Sequence, residues 1–517
     1  MIARRALLGF LGTLPLARVA QGQAAHRLTI IHVNDFHSRH DPVDAAALGC
    51  GEGAACFGGS PRLATAIFQQ RRAAEADGRA VLQLDAGDQF QGSLFYTALR
   101  GDVELAVMHA VGAEAMAVGN HEFDNGPANL ARFVRAARFP VLSANIEAGG
   151  ELAGLLRRYA LFDRAGLRVA VVGLTTDAAR ASSSPGPDVR FLPPAAALAD
   201  AAAQARAEGA GLVVVLSHLG LAADRALAMA APDAGVIIGG HSHTVLSNVE
   251  AEAAGPCPAI AGKTLIAQAG AYGRYLGRLD LDLAADGSLL AWGGECRHVG
   301  LDLPPDPAVA AIVAGFAAPL EAIRRKVVGQ ADAAIGNARC RFSECPLGDF
   351  VADAMLAADH EAEVAIMNAG GIRTGLPAGA VTLGDVIGAL PFGNTLATLK
   401  LRGGDLRAAL LHGLSLVGRG GFPQVAGVRI GWSPASPEQS GFAVRGRDGR
   451  FRPLDLERTY GVATNNFLRG GGDGYAALRD GAIDPYDTGP GLDGLVADRI
   501  AAMSPLRLAA DGRITLQ

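Results

Sequence analysis

Side chains able to bind metal ions stand directly after several short apolar runs of the chain, where the strands of a predicted sheet would end. The set comprises two carboxylates, one amide and four imidazoles, namely Asp35, His37, Asp88, Asn120, His218, His241 and His243. Open α/β sheets bind ligands in the crevice beyond the carboxyl ends of their strands. We therefore expect these side chains to meet at one edge of a sheet and to form a metal site.

The size of this ligand set indicates how many ions it holds. Seven protein ligands are too many for one tetrahedral ion, whereas one bridging carboxylate would give each of two ions four ligands. Asp88 is the expected bridge because it comes from the central segment in chain order. In enzymes that hold two metal ions at one site, the ions lie ~3.5–4 Å apart. Mixed nitrogen and oxygen donors suit Zn, Mn, Co or Fe, and we expect two divalent ions of Zn, Mn or Co.

Two pairs of these ligands are separated by a single residue. Asp35 and His37 lie in IIHVNDFHS, and His241 and His243 lie in VIIGGHSH. Alternate side chains of a strand point to the same face of a sheet. The spacing therefore predicts that each pair reaches the site from one face of a strand end.

The apolar runs alternate with Ala-rich amphipathic segments through the first half of the chain. Strands are predicted for RLTIIHV, AVLQLDA, RVAVVGL, LVVVLSH and GVIIGG, and helices for PRLATAIFQQRRAAEA and PAAALADAAAQARAEG. This is the βαβ rhythm of an α/β layered fold. Near residue 304 the pattern changes, and residues 305–328 predict a helical connector despite Pro319. A second, smaller α/β unit is expected at 329–517.

Length and charge limit the kinds of partner. The chain has 517 residues, 50% of them hydrophobic, which is enough for two or three domains with large cores. The formal net charge of −5 provides no basic surface for a nucleic acid polymer or an anionic membrane. Both a monomer and a homodimer are compatible with the sequence.

The first 25 residues predict a signal peptide. MIARR is basic, ALLGFLGTLPLA is apolar but too short to span a bilayer comfortably, and small residues follow where cleavage would occur. We expect a periplasmic or secreted protein without a stable membrane anchor. A retained anchor is the alternative, and both the Sec and the twin-arginine export routes stay open.

The cysteines agree with an oxidising compartment. The chain has six cysteines, and two pairs, Cys50 with Cys56 and Cys340 with Cys345, are close enough in sequence to close small loops. Cys257 and Cys296 remain as the third pair. Six cysteines allow 15 connectivities, so this pairing is only the most local one.

The motifs together resemble a known family. D-x-H, GDxxxG, GNHE, a strand-ending His and GHxH are the motifs of the calcineurin-like metallophosphatases, and HEFDNG with the second half of the chain is similar to the 5′-nucleotidase branch. CRFSEC and PLGDFVADAM resemble the ecto-5′-nucleotidase type. The resemblance implies a four-layer α/β/β/α metallophosphatase domain at 26–304 and a 5′-nucleotidase C-terminal domain at 329–517. His243 departs from the pattern, since relatives often carry Gln or Asn there, and this affects only the expected metal preference.

The segment GNHEFDNG, residues 119–126, is expected to carry an acid as well as a metal ligand. His121 cannot easily bind the ion held by its neighbour Asn120, so we expect it to face the substrate. Asp124 can accept the second ring proton of His121 and keep the imidazolium available. His121 would then protonate the leaving alkoxide. Glu122 is expected to cap the following turn.

The second half of the chain carries candidate phosphate-binding residues. Arg341 lies in CRFSEC, and MNAGGIRTG contains Asn368, Gly371 and Arg373. Guanidinium groups match the geometry of phosphate oxygens. The glycines of the second motif are expected to let an oxyanion approach the backbone.

Two aromatic residues on glycine-rich segments complete the predicted pocket. Phe392 lies in LPFGNT and Phe467 lies in NNFLRGGGDGY, six residues before Asp473. Aromatic side chains stack on nucleobases of any kind. The family resemblance implies that Phe392 and Phe467 stack on the base and that Asp473 binds the ribose hydroxyls.

These features predict an exported 5′-nucleotidase that converts nucleoside 5′-monophosphates, such as AMP, into nucleoside and phosphate. The alternatives on the same scaffold are a UDP-sugar hydrolase and a 2′,3′-cyclic nucleotide phosphodiesterase, with a thiosulfohydrolase as a more distant one. A periplasmic nucleotide-binding protein without activity is the alternative from another class. The complete ligand set and His121 favour an enzyme.

Overall fold

The chain folds into two compact α/β units. The computed structural model describes residues 17–18, 24–44, 56–231, 234–392, 394–486 and 490–517, so most of the predicted signal segment lies outside the described residues. The N-terminal unit comprises residues 1–91, 99–179 and 184–316, and the C-terminal unit comprises residues 92–98, 180–183 and 317–517. The boundary between the two units, after residue 316, falls inside the helix Pro307–Arg324, which also includes Pro319.

Two mixed sheets form the N-terminal unit. The order of strands in the first sheet is Ala17–Arg18, Leu289–His298, Tyr275–Leu283, His26–Val33, Ala80–Asp85, Ala115–Ala117, Val141–Leu142. The order in the second is Ala259–Ala261, Thr264–Ala267, Val236–Gly239, Leu212–His218, Leu167–Thr175, Tyr159–Arg164. Short two-stranded ladders pair Val43–Asp44 with Cys56–Phe57 and Ile146–Ala148 with Val189–Phe191.

The main hydrophobic core of this unit joins residues of both sheets. The strand Leu212–His218 is buried along its whole length, which explains why it forms a continuous apolar run in the sequence. A Cβ atom on Gly173 of the second sheet would lie 2.4 Å from the carbonyl carbon of Leu142 in the first. Glycine is therefore required where the two sheets approach each other.

Helices cover the outer faces of the two sheets. Ser60–Ala76 packs on the first sheet, and Pro194–Ala207 and Leu221–Ala230 pack on the second. Pro194 stands in the first turn of its helix, where the missing N–H costs no hydrogen bond. The other helices before residue 300 are Leu94–Leu99, Asp102–Val111, Gly126–Ala136 and Ala179–Ser182.

The C-terminal unit contains a five-stranded sheet and a four-stranded sheet. Their orders are Pro423–Ala426, Val364–Asn368, Thr459–Asn465, Leu396–Arg402, Ile483–Tyr486 and Phe451–Pro453, Gly441–Arg445, Val428–Trp432, Ile514–Leu516. A two-stranded ladder pairs Val327–Ala331 with Gly379–Thr382. The helices are Pro346–Ala357, Leu383–Ala389, Gly403–Ser415, Asn466–Arg469, Ala476–Asp480 and Leu492–Met503. The strands and helices predicted from the apolar runs of the first half are confirmed within one or two residues.

The cysteines follow the predicted pairing only in part. Cys340 and Cys345 form a disulfide with a Cα–Cα distance of 5.0 Å. Cys50, and with it the predicted Cys50–Cys56 bond, lies outside the described residues. The prediction that Cys257 pairs with Cys296 is wrong, because both are buried free thiols. That pair was assigned by elimination, and a buried thiol packs as a small apolar side chain without needing a bond.

Candidate active site

Six of the seven predicted ligands lie in turns that follow strand ends, and His218 is the last residue of the strand Leu212–His218. The strand His26–Val33 ends before Asp35, and the strand Val236–Gly239 ends before His241. Five of the predicted ligands have left-handed backbones, with φ of 51° at Asp35, 52° at His37, 56° at Asp88, 71° at His241 and 52° at His243. The prediction that each i, i+2 pair shares one face of a strand is therefore wrong. Left-handed residues that are not glycine are strained, and such strain is concentrated at functional sites.

These turns come from both sheets of the N-terminal unit. The first sheet contributes the turns after His26–Val33, Ala80–Asp85 and Ala115–Ala117, and the second contributes those after Leu212–His218 and Val236–Gly239. The expectation of a single sheet edge is wrong for this reason. The site lies where the carboxyl ends of strands from two packed sheets meet.

One group of ligand atoms belongs to Asp35, His37 and His243, which lie within 4.8 Å of one another. Nε2 of His37 is 3.1 Å from Nε2 of His243, and Nε2 of His243 is 3.4 Å from Oδ1 of Asp35. Ligand atoms bonded to one ion at ~2.0–2.2 Å stand about 3–4 Å apart. The spacing of this group thus fits a bound divalent ion.

A second group consists of Asp88, His218 and His241. Oδ2 of Asp88 is 3.1 Å from Nε2 of His218 and 3.8 Å from Nε2 of His37, so Asp88 stands between the two groups. Nδ1 of His241 is 2.9 Å from Oδ1 of Asn120. Nε2 of His218 is buried and has no hydrogen-bond partner among the described residues. A metal ion would satisfy this nitrogen, and the donors of the second group fit one as well.

Backbone carbonyls orient two of the imidazoles. Nδ1 of His218 donates to the carbonyl oxygen of Ala86 at 2.6 Å, and Nδ1 of His37 donates to that of Phe90 at 3.2 Å. When either ring is neutral, a proton at Nδ1 leaves its Nε2 available to a metal. Asp35 is held in turn by the side chain of Asn34 at 2.7 Å and by the backbone N–H of His241 at 3.0 Å.

The pKa values of these groups match the roles of ligands. Burial lowers the pKa of His37 to about 3 and that of His241 to about 4, so both rings are neutral at pH 7. Burial also opposes the charged form of His218, but Asp88 and Asp35 raise its pKa to about 10. The carboxylates of Asp88 and Asp35 thus favour a positive charge beside them, which a bound metal ion would supply.

His121 and Asp124 form the predicted pair. Nδ1 of His121 donates to Oδ2 of Asp124 at 2.8 Å, and the backbone N–H of His121 donates to Oδ1 of Asp88 at 2.9 Å. The His121 side chain is 20% exposed, compared with 0% for His218. Burial lowers the pKa of His121, but Asp124 and Asp88 outweigh it and raise the value to about 9. The ring is thus protonated at neutral pH and accessible from the solvent side.

In the C-terminal unit, Asn368 and Asp473 are in direct contact. The Asn368 amide donates to Oδ2 of Asp473 at 2.9 Å and its oxygen accepts from the amide of Asn465 at 2.9 Å. Asp473 has a left-handed backbone with φ of 52°. The Phe467 ring lies over the neighbouring Gly472, where an added Cβ would stand 2.6 Å from the ring atoms.

The two predicted arginines have different settings. The Arg373 guanidinium lies 5.7 Å from the centroid of the Phe392 ring, a cation–π contact. Arg341 is exposed, its backbone carbonyl accepts a hydrogen bond from Gly418 at 2.7 Å, and its side chain interacts electrostatically with Asp473. The structure thus forms two local groups, Arg373 with Phe392 and Arg341 with Asp473, Asn368 and Phe467.

Comparison with known proteins agrees with the motifs. Residues 28–245 match the family described as calcineurin-like phosphoesterase, and residues 327–480 match the family described as 5′-nucleotidase, C-terminal domain. A 5′-nucleotidase of Bos taurus is 31% identical, covering 94% of this chain and 90% of the relative. An apyrase of Tabanus yao is 30% identical, with 95% and 93% covered. The solved structure of a 5′-nucleotidase precursor from Thermus thermophilus is 36% identical with a TM-score of 0.78, covering 95% of this chain and 99% of that one.

This chain belongs to the 5′-nucleotidase family. It is a metal-dependent phosphoric monoester hydrolase, and the predicted architecture of a metallophosphatase domain followed by a 5′-nucleotidase C-terminal domain is confirmed. The use of divalent metals follows from membership in the calcineurin-like phosphoesterases.

One functional residue of this 5′-nucleotidase family member was assigned wrongly from sequence. Glu122 does not cap the following turn. Its buried carboxylate accepts backbone N–H groups of Asp88 at 2.9 Å, Gly119 at 2.7 Å, Gln89 at 2.9 Å and Phe90 at 3.2 Å. Glu122 therefore ties the turn that carries Asp88 to the turn that carries Asn120 and His121. Its place inside GNHE, between chemically active residues, was the available signal.

The glycines of the MNAGGIRTG motif of this family member serve packing. A Cβ on Gly370 would stand 2.9 Å from Cα of Gly420, and one on Gly371 would stand 2.4 Å from Cε of Met367. The N–H of Gly370 donates to the carbonyl of Gly420 at 2.7 Å. These contacts give a packing reason for glycine at both positions, and the approach of an oxyanion to this backbone stays a prediction.

Proposed function

We propose that the protein is an exported 5′-nucleotidase that hydrolyses nucleoside 5′-monophosphates to nucleoside and phosphate. The observation that carries the proposal is the placement of two metal-ligand groups around Asp88, with the His121–Asp124 pair beside them. The 5′-nucleotidase of Bos taurus, which is similar to this chain along nearly its whole length, supports this class of substrate.

Two divalent ions are assigned to the two groups. Asp88 would serve both ions, with Asp35, His37 and His243 completing the ligand set of one and Asn120, His218 and His241 that of the other. The spacing of the donors and the orphaned Nε2 of His218 support this assignment. When bound, the ions supply Lewis acidity that activates water and neutralises charge on the phosphoryl group.

His121 acts as the general acid. Water adds its oxygen to phosphorus as the bond from phosphorus to O5′ breaks, and the ring proton on Nε2 of His121 passes to the leaving O5′. The proton released by the attacking water then restores the imidazolium. Asp124 holds the other ring proton at Nδ1 and keeps the imidazolium oriented. The pKa of about 9 supports a protonated ring at the start of the reaction.

The C-terminal unit is proposed to recognise the nucleoside. Phe392 and Phe467 stack on the base, and Asp473 accepts hydrogen bonds from the ribose hydroxyls. The hydrogen bond between Asn368 and Asp473 and the electrostatic interaction of Asp473 with Arg341 support a shared polar site for ribose and phosphate. We assign the binding of the phosphate group to Arg341, Asn368, Gly371 and Arg373. Position 371 is glycine because its backbone packs closely against Met367.

Export is proposed from the first 25 residues of the sequence and from the Cys340–Cys345 disulfide. The description of the Thermus relative as a precursor supports a processed N-terminus. We assign the mature protein to the periplasm or the medium.

The test is phosphate release from AMP, UDP-glucose, ATP and 2′,3′-cyclic AMP, with and without a chelator. Fast release from AMP that chelation abolishes is the expected result. Release from ATP at a comparable rate would extend the proposal to the activity named for the apyrase relative. Activity on UDP-glucose or the cyclic nucleotide without activity on AMP would refute it.

A further inference from the structure

A second carboxylate cluster lies in the C-terminal unit and includes none of the residues assigned above. Oxygens of Glu344, Asp349 and Asp511 lie within 4.8 Å of one another. Glu344 lies in the loop closed by the Cys340–Cys345 disulfide, and Asp349 is in the first turn of the helix Pro346–Ala357. Asp511 precedes the strand Ile514–Leu516. Three separate segments of the chain therefore contribute one carboxylate each.

Asp349 is the unusual member of the cluster. It is 4% exposed, and neither of its carboxylate oxygens has a hydrogen-bond partner among the described residues. Nε of Arg513 is 3.7 Å from Oδ1 of Asp349, which is too long for a hydrogen bond. Buried carboxylates are almost always satisfied by donors or by a cation. A cation bound between Asp349, Glu344 and Asp511 would satisfy these oxygens.

The nearby arginines do not neutralise the cluster. Arg513 is bound to both oxygens of Asp353 at 2.9 Å and to Asp511 at 2.9 Å, and Arg499 lies 3.8 Å from Asp353. With all four carboxylates ionised, Glu344, Asp349, Asp353 and Asp511 exceed the two guanidiniums of Arg499 and Arg513 by two negative charges, and Asp349 must lose its proton to reach this state. Burial raises the pKa of Asp349 to about 8, and Glu344 and Asp511 add to the rise while Arg513 opposes it.

Glu344 is already held in position to serve as a ligand. Its Oε1 accepts the backbone N–H groups of Asp511 at 2.7 Å and Gly512 at 2.9 Å, and its Oε2 accepts that of Ile514 at 3.1 Å. A carboxylate can accept further contacts beyond these, since it offers about four lone-pair directions. The side chain of Asp511 is 60% exposed, so the cluster is open to ions and water on that side.

We propose that Glu344, Asp349 and Asp511 bind a hard divalent cation of the Ca²⁺ type. The donors are all oxygens, which favour Ca²⁺ over the ions suited to the imidazole-rich centre of the N-terminal unit. One divalent ion balances the two uncompensated negative charges. It fastens the C-terminal strand to the disulfide loop and to the helix Pro346–Ala357. Water completes the coordination at the exposed side of Asp511.

The test is a calcium titration of the full chain whose catalytic centre has first been saturated with Zn²⁺. Isothermal titration calorimetry should detect one Ca²⁺ per chain, and the melting temperature should rise with Ca²⁺ because the ion binds only the folded state. Asp349→Asn should weaken Ca²⁺ binding by roughly tenfold or more and remove the rise in melting temperature. Asp448→Asn, which removes an exposed acid paired with Arg452 in the same unit, is the matched control and should bind Ca²⁺ like the unmodified chain.

Two results would overturn the proposal. One is the absence of Ca²⁺ binding to the Zn²⁺-loaded chain, and the other is equal binding by the unmodified chain and the cluster variants. Asp511→Asn provides a second variant at an exposed position, so the test does not depend on the folding of Asp349→Asn. The binding measurement does not depend on the proposed nucleotidase function. An effect of Ca²⁺ on KM, transmitted through the loop that carries Arg341, would depend on it.

Discussion

The metal-ligand groups and the nucleoside residues of this chain are built in different ways. The ligands of the N-terminal unit are mostly buried, five have left-handed backbones, and several are held by a further hydrogen bond. The residues assigned to the nucleoside are more open, with Phe467 half-buried and Asp473 exposed. Chemistry on a phosphoryl group requires fixed geometry before the substrate arrives. Recognition of a base and a ribose tolerates side chains whose contacts are completed by the ligand.

The largest effect is expected at the bridging carboxylate. Asp88→Ala removes the group between the two metal-ligand groups and the acceptor of the His121 N–H, so activity should fall by at least ~10⁴-fold. Metal analysis of the purified variant should show the loss of both ions. Asp200→Ala, at an exposed acid of the same unit, should retain both. Retention of two ions by Asp88→Ala would refute the bridge.

The general acid is expected to have the next largest effect. His121→Ala should lower kcat by roughly 10²–10⁴-fold while the metal content and KM stay close to those of the unmodified chain. Asp124→Asn should act in the same direction more mildly, because the ring loses its orientation. His360→Ala serves as an exposed control. If His121→Ala instead loses a metal ion, the residue is a ligand and the assignment is wrong.

Glu122 tests whether the rigidity of the metal-ligand groups matters. Glu122→Gln replaces one carboxylate oxygen, which accepts backbone N–H groups, by an NH₂ group that can only donate. We expect metal affinity or kcat to fall by about 10–100-fold. The measurement is a metal-dependence curve of activity, compared with that of Glu147→Gln at an exposed position. Unchanged curves would show that the turns hold their shape without this carboxylate.

Phe467 tests the recognition side of the comparison. Stacking is worth ~1–3 kcal/mol per base, so Phe467→Ala should raise KM for AMP by roughly tenfold or more. Hydrolysis of p-nitrophenyl phosphate, which has no base, should barely change. Phe451→Ala, at a half-buried ring of the same unit, should leave both substrates unaffected. Equal loss of both activities by a folded Phe467→Ala would make the ring a packing residue.

His32 lies in the strand that leads to Asp35. We expect its substitution to have the smallest effect on activity but a measurable effect on stability. Its ring is fully buried without hydrogen-bond partners among the described residues, and burial lowers its pKa from 6.5 to about 4. The unfolded chain therefore binds the proton first, and stability falls as the pH drops from about 6.5 to 4. This contribution is up to about 3 kcal/mol. Urea unfolding of His32→Leu should show a smaller loss of stability over this pH range than the unmodified chain. An equal loss in the two proteins would contradict the prediction.

The strands, and the candidate ligands at their ends, could be found from local sequence patterns. Runs such as LVVVLSH and GVIIGG predict strands because their burial on both faces leaves an uninterrupted apolar pattern. His218 and His241 stand at or just after the ends of these runs, and the chemistry of an imidazole does not depend on the fold. The His121–Asp124 contact was likewise predictable, because three residues of a single turn bring the two side chains together.

The way in which these groups are held depends instead on contacts between distant segments. The left-handed turns at Asp35 and His241 exist because two packed sheets bring their strand ends together, and no local pattern specifies that approach. Three of the four backbone partners of Glu122 come from a turn more than thirty residues away, and the need for glycine at Gly370 comes from Gly420. In each case the local conformation depends on a contact between segments that are distant in the chain. Local preference and apolar periodicity are properties of neighbours in sequence, so they could not reveal it.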